Sequence, residues 1–193
     1  MKILVTHNQF KRVILVEQEK KQGNKKDFSN KSNIATQKLW DHIRKWETFV
    51  PFTYDDAYFP PNPYTGDSKD TVGVLTIGYG HTGEDVIVGD EISEKKATTL
   101  LIIDVNDAAD CIRRWVLRQK KKKNKYYLIT QGMYEAMIDL AYNLGCSRFI
   151  NSSIIGNIEN GNYKKAAEKI KKLGGNTRRR EETAKIFCLN QVC

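Results

Sequence analysis

The sequence predicts an α+β protein in which a small antiparallel sheet lobe and a larger helical lobe face each other across a cleft. Three observations predict it. Leu39, Ile43, Trp46 and Val50 recur at intervals of three or four residues, the spacing of a helix face. The stretch "VGVLTIGYGH" that follows is rich in glycine and β-branched residues, which suits short strands and tight turns. From Ser93 onward apolar residues keep helical spacing almost to the end of the chain.

Length and composition fit that plan. With 193 residues, 40% hydrophobic, 28% charged and 10% aromatic, the chain can bury a sizeable core in one domain and is not a disordered polymer. The net charge of +9 points to an anionic partner, whether nucleic acid, acidic lipid headgroups or a cell-wall polymer. Much of the excess lies in "RQKKKKNK" (118–125) and "TRRREE" (177–182), and a run of this kind reads first as a solvated loop. Cys111, Cys146, Cys188 and Cys193 have no metal-ligand spacing, and a chain of this size needs no disulfide framework, so reduced thiols are expected. No cofactor and no metal are expected.

Residues 1–31 read as an N-terminal extension and linker, with Phe10, Val13 and Ile14 at helical spacing before a lysine-rich connector. Residues 1–30 are also a candidate surface for an unidentified partner. Apolar triplets there are broken by "THNQ" and "KR", so neither a signal-peptide core nor a transmembrane segment is expected, and the protein should be made in a cytoplasm and be monomeric. The main domain takes up residues 32–193. Its first helix should start near Ser32 or Asn33, run to about Thr48 and place Glu47 at its C-terminal end.

A strand segment follows, and "AYFPPNPYTGDSKD" (57–70) has loop chemistry rather than strand chemistry. Ser93 can cap a long helix with Ala97, Leu101, Val105, Ala108, Ile112 and Trp115 on one face. Thr130 can cap the next, whose stripe of Met133, Ala136, Met137, Leu140 and Ala141 ends at Gly145. Three shorter helices are expected near 152–159, 162–173 and 177–187.

The chemistry centres on carboxylates. Glu47 faces the negative end of a helix macrodipole, and Trp46 and Phe49 can desolvate it; both effects raise its pKa. A protonated carboxyl can donate to a leaving oxygen while a second, ionised one holds water, which is glycosidase logic. A glutamate at a helix end is by itself ordinarily a solvated surface residue.

The pattern as a whole is more specific. Glu47, Tyr54, Asp56 and "GVLTIGYGHTG" (73–83) together resemble the phage-type lysozymes, or endolysins, of glycoside hydrolase family 24. The resemblance continues through "QGMYEAMIDLAYNLG" (131–145), "FINSSIIGNIENGNYKKAAEKI" (149–170) and "GGNTRRREE" (174–182), where Arg178 and Arg179 precede Glu182. It implies a lysozyme-like fold and cleavage of the β-1,4 bond between N-acetylmuramic acid and N-acetylglucosamine in peptidoglycan. In the roles it implies, Glu47 is the general acid, and an aspartate with Thr76 holds the attacking water.

For the aspartate, Asp56 keeps the spacing to Glu47 and Tyr54, whereas Asp70 keeps the spacing to Gly73 and Thr76. An insertion after Asp56 lets both strands keep their places, which favours Asp56 and leaves Asp70 as the alternate. The chain departs from the family at Thr48, where glycine is common, and lacks the tryptophan common before the last helix. His81 reads as a structural or cleft-wall residue rather than a catalytic base. A lytic transglycosylase, or a noncatalytic wall-binding or nucleic-acid-binding module using the basic run, are the alternatives; no nucleic-acid motif accompanies that run.

Overall fold

The structure, a computed structural model, describes residues 35–123, 129–189 and 193. The expected N-terminal extension lies outside the described residues. Helix α1 spans Gln37–Trp46, strand β1 Val50–Asp55, β2 Leu75–Gly78 and β3 His81–Thr82, and helix α2 Glu94–Lys123. Helices α3 (Gln131–Leu144), α4 (Cys146–Ile150), α5 (Ser153–Glu159), α6 (Tyr163–Lys171) and α7 (Thr177–Phe187) complete the larger lobe.

The first helix begins later than its periodicity predicts. Thr36 is the N-cap residue, and its backbone N–H donates 3.2 Å to Oε1 of buried Glu135. A carboxylate on α3 therefore satisfies one of the orphan donors that every helix start leaves, and sets where α1 begins. At the other end Glu47 is the C-cap residue, extended at φ −102° and ψ 122°. The chain thus leaves the helix at the glutamate itself.

β1, β2 and β3 form one antiparallel sheet in that order. Tyr54 stands opposite Thr76 and Asp55 opposite Leu75, with an irregularity in register between Val50 and Tyr54. The connection from β1 to β2 is the proline-rich loop, which holds a single 3-10 turn at Ser68–Asp70.

In the helical lobe the predicted faces are the buried ones. Ala97, Leu101, Val105, Ala108, Ile112 and Trp115 of α2 join Met133, Ala136, Met137, Leu140 and Ala141 of α3 in one core. Thr130 Oγ1 accepts from Met133 N at 3.2 Å, and the short helix α4 is an element that the periodicity does not predict. Backbone helix continues through Lys123, so the first part of the basic run is helical rather than looped. The expectation of reduced thiols is also corrected. Cys111–Cys146 joins α2 to the start of α4 across 35 residues of sequence, and Cys188–Cys193 closes the chain after α7. Helix packing brings the first pair to a Cα–Cα distance of 6.0 Å, which no spacing rule in the sequence reveals.

One close approach decides how α7 lies on α3. A Cβ added to Gly132 would sit 2.3 Å from the carbonyl oxygen of Ile186, so α7 backbone packs where only glycine leaves room. Gly132→Ala is expected to cost about 1–3 kcal/mol through overpacking. A fall in the urea midpoint with an unchanged slope is the expected reading.

Candidate active site

Glu47 lies at the meeting point of three elements. Its Oε1 accepts from Arg179 Nη1 at 2.6 Å, and Arg179 Nη2 donates 2.7 Å to Oδ1 of Asp139, which is fully buried on α3. One planar guanidinium therefore fastens the end of α1 to the middle of α3 from its place in α7. The position of Arg179 is itself set locally. Asn176 caps α7 by accepting from Arg179 N at 3.1 Å, so the arginine sits in the first turn with its side chain turned inward. Of the two arginines in the sequence motif, Arg178 is exposed and Arg179 reaches the site.

Two further polar side chains, Thr183 and His42, surround Asp139. Thr183 Oγ1 lies 2.7 Å from Asp139 Oδ2 and 2.9 Å from Arg179 O, and its one proton serves one of them at a time. His42 Nε2 is 3.5 Å from the same Oδ2. Burial alone would raise the Asp139 carboxyl, yet the hydrogen bonds and charges of His42 and Arg179 bring it down to about 2. It is therefore ionised throughout the neutral range.

Glu47 behaves in the opposite way. Desolvation pushes its carboxyl above the ordinary value of 4.5, against the pull of Arg179, and the Asp139 charge adds to the rise. The other oxygen, Oε2, is turned toward Gly80. A Cβ on Gly80 would lie 3.6 Å both from Oε2 and from the hydroxyl of Tyr142, which donates 2.6 Å to Tyr79 O. Gly80 and Tyr142 also line a cavity of about 490 Å³ with Thr82, Asp104, Asp107 and Arg114, between β3 and the helices. Glu47, Asp56 and Thr76 do not line this cavity, which adjoins Glu47 through Gly80 and Tyr142.

Across the seam, Tyr54 and Thr76 are paired on one face of β1 and β2. Burial, Asp56 and then Glu47 all push the Tyr54 phenol up, so this tyrosine stands where both carboxylates are felt. Thr76 is buried, and its hydroxyl donates 2.9 Å to Val74 O, which commits its proton and leaves its lone pairs able to accept. Asp56 is exposed, with Oδ1 accepting from Val74 N at 2.7 Å. Neighbouring Asp55 is buried and accepts from Ala57 N, Val72 N and Gly73 N at 2.8–3.0 Å. Those backbone bonds hold the Asp55 carboxyl below its usual range in spite of its desolvation.

Both aspartates close on the return strand, Asp55 from the buried end of β1 and Asp56 from the exposed turn that follows it. A Cβ on Gly73 would fall 2.1 Å from Asp56 Oδ1 and 2.7 Å from Asp55 Oδ1, so only glycine lets both carboxylates close on the return strand. Asp70 lies in the exposed 3-10 turn near Tyr64, away from these contacts. His81, expected in the cleft wall, is clamped between carboxylates. Nδ1 is 2.9 Å from Asp104 and Nε2 is 3.2 Å from Asp85. Both nitrogens can donate only as imidazolium, and although burial opposes it, these partners raise the His81 pKa.

The structural arrangement agrees with comparisons to known proteins. A family model described as phage lysozyme matches residues 62–182. The chain belongs to the phage lysozyme family. The matched span includes Thr76, Asp70, Asp139 and Arg179, while Glu47 and Asp56 precede it. The endolysin of Bacillus phage B103 is 33% identical over 120 residues, covering 58% of this chain and 42% of that protein. The SAR-endolysin of bacteriophage PS119 is 32% identical over 104 residues, covering 54% and 57%. The chain thus spans about half the length of these relatives.

In fold, the endolysin of Escherichia coli O157:H7 phage FAHEc1 matches with a TM-score of 0.58 at 23% identity, covering 81% of this chain and 93% of that one. The muramidase domain of SpmX from Asticaccaulis excentricus matches with a TM-score of 0.58 at 18% identity, covering 79% and 96%. These likenesses place the fold in the lysozyme-like class, with its small sheet lobe and larger helical lobe.

Sequence reasoning missed Asp139, His42 and Thr183. A carboxylate at Asp139 inside an otherwise apolar stripe was the available signal, because such a group must find a cation in the core. Its depressed pKa carries a pH dependence. A carboxyl at 3.8 unfolded and about 2 folded contributes stability above pH ~4 that is lost as pH falls toward ~2, because the unfolded chain binds the proton first. Urea midpoints should therefore drop across that window by the equivalent of about 2 kcal/mol in the wild type. Asp139→Asn should be less stable at pH ~5, where it leaves Arg179 buried without that charge, and should show a flatter dependence below it.

Proposed function

We propose that this protein is a peptidoglycan hydrolase, a muramidase that cleaves the β-1,4 bond between N-acetylmuramic acid and N-acetylglucosamine by general acid catalysis with inversion. The observation that carries this reading is the raised pKa of Glu47 at the seam of the two lobes. Its Oε1 accepts from Arg179, so a proton is carried on Oε2, the oxygen on the Gly80 side. From there it passes to the leaving glycosidic oxygen as the bond breaks, and Arg179 stabilises the carboxylate that remains.

On the opposite side, Asp56 and Thr76 hold the water that attacks the anomeric carbon. Asp56, exposed at the end of the hairpin, takes up the water proton, while Thr76 accepts a hydrogen bond from that water. Inversion requires roughly 6.5–9.5 Å between the acid and the base, room for one water. Asp56 is preferred to Asp70 for the role because it shares the Tyr54 environment with Glu47, whereas Asp70 borders Tyr64 in the loop.

The relatives named endolysin support action on the bacterial cell wall in a phage lytic setting. Among the described residues no helix is long and apolar enough to cross a membrane. The basic character suits an envelope rich in carboxylates and phosphate polymers.

Turbidity clearing of purified peptidoglycan tests the assignment. Glu47→Gln should lose about a hundredfold or more of kcat, the ordinary worth of a general acid. Asp56→Asn should lose a comparable factor, and Asp70→Asn should keep near wild-type rates. The reverse pattern for the aspartates would move the base to Asp70. Full clearing by Glu47→Gln would remove Glu47 from the acid role, and a wild type that binds peptidoglycan without clearing it would be a noncatalytic wall-binding module. Products ending in 1,6-anhydro sugars rather than reducing ends would make the enzyme a lytic transglycosylase.

A further inference from the structure

The loop between β1 and β2 exposes more apolar surface than a connection of its length needs. Phe59 is 95% exposed, Tyr58 58%, Val72 74% and Val74 52%. Single exposed apolar residues are ordinary, but several brought together at one end of a hairpin mark a binding surface. The backbone brings these together. Tyr58 N donates to Asp55 O at 3.2 Å, Val72 N to Asp55 Oδ2 at 2.8 Å, and Val74 N to Asp56 Oδ1 at 2.7 Å.

The loop is also ordered before any ligand arrives. Tyr64 N donates to Thr53 O at 2.8 Å, the Tyr64 hydroxyl donates to Asp67 O at 2.8 Å, and Asp67 Oδ1 accepts from Lys69 N at 2.9 Å. These bonds fix the middle of the loop against β1, so less backbone freedom is lost on binding.

Local charge selects the occupant. Although the whole chain carries +9, the exposed charges at this hairpin end are Asp56, Asp67 and Asp70 against Lys69, Asp55 being buried. Such a surface repels anionic lipid headgroups and nucleic-acid phosphates. It suits a ligand with hydroxyls that donate to carboxylates and C–H faces that pack on aromatic rings, which is a sugar. Phe59 is three residues beyond Asp56, a reach of at most roughly 10 Å. That distance puts Phe59 within reach of a glycan strand bound at the proposed reaction centre.

We propose that Tyr58 and Phe59 form an outer sugar subsite that extends the cleft along the glycan strand. The subsite rests on the muramidase reading given above and adds to it a preference for long strands over short oligosaccharides. Both side chains are exposed, so their removal takes away no core contact.

The test compares the full-length protein with a Tyr58→Ala/Phe59→Ala variant on two substrates, long uncross-linked glycan strands and a muropeptide tetrasaccharide. The ratio of kcat/KM on long to short substrate should fall about tenfold, the worth of two stacked aromatic contacts, and Phe59→Trp should retain the wild-type ratio. Binding is read separately from turnover by co-sedimentation with insoluble peptidoglycan in a Glu47→Gln background, where the double substitution should weaken retention by a similar factor. An unchanged ratio or unchanged retention overturns the subsite. So does a loss of binding to phosphatidylglycerol vesicles with glycan retention intact, which would assign the loop to a membrane. A wild type that cleaves neither substrate but loses glycan retention on loop substitution would refute the reaction while keeping the subsite.

Discussion

The Arg179 guanidinium is the constraint on which the rest of the site depends. It is buried, it cannot shed its charge, and it must be matched by carboxylates from elements far apart in the chain. Asp139 supplies a permanent negative charge from inside the helical lobe, and Glu47 supplies the second oxygen from the end of α1. Because Asp139 already neutralises the arginine, Glu47 is not forced to ionise completely. Desolvation lifts its carboxyl against the pull of the arginine, and the Asp139 charge adds to the rise.

That arrangement makes packing part of the chemistry. The guanidinium reaches both carboxylates because Asn176 fixes the first turn of α7 and because Gly132 lets α7 lie directly on α3. Lys45 and Trp46 bind Glu182 of α7 from α1, with the Lys45 ammonium at 2.6 Å, so the helix that carries Glu47 is also tied to the helix that carries Arg179. The outer bond is partly exposed and contributes little by itself; its effect is to keep the inner pair in register. On the sheet side, Asp55 and Asp56 perform the corresponding service for a loop that interrupts the hairpin. Two carboxylates on successive residues close it on the backbone of 72–74, so the long connection leaves the pairing of Tyr54 with Thr76 undisturbed.

Much of this was legible in the sequence where local pattern governs. The faces of α2 and α3, the Thr130 cap, the small sheet and the placement of Glu47 at a helix end all follow from spacing and capping chemistry. The roles proposed for Glu47, Asp56 and Thr76 come from family resemblance, and the fold brings Asp56 and Glu47 into the surroundings of one tyrosine. What spacing did not reveal depends on tertiary contact. The start of α1 is set by Glu135, nearly a hundred residues on, and the Cys111–Cys146 pair by how α2 meets α4. Asp139 was hidden because a polar residue in an apolar stripe does not announce its partner. The basic run was misjudged as loop because charge pattern is silent about backbone when lysines are also good helix formers.

The account stands on Glu47 being held above its ordinary pKa by desolvation, despite the contact with Arg179. Titration of its side-chain carboxyl by carbon NMR in the substrate-free protein tests this most directly. A midpoint above 4.5, shifting further upward when Arg179 is replaced by methionine in an Asp139→Asn background, is the predicted result. A midpoint at or below 4.5 in the wild type would mean that the arginine wins, and that Glu47 is a carboxylate at neutral pH rather than the acid of the reaction.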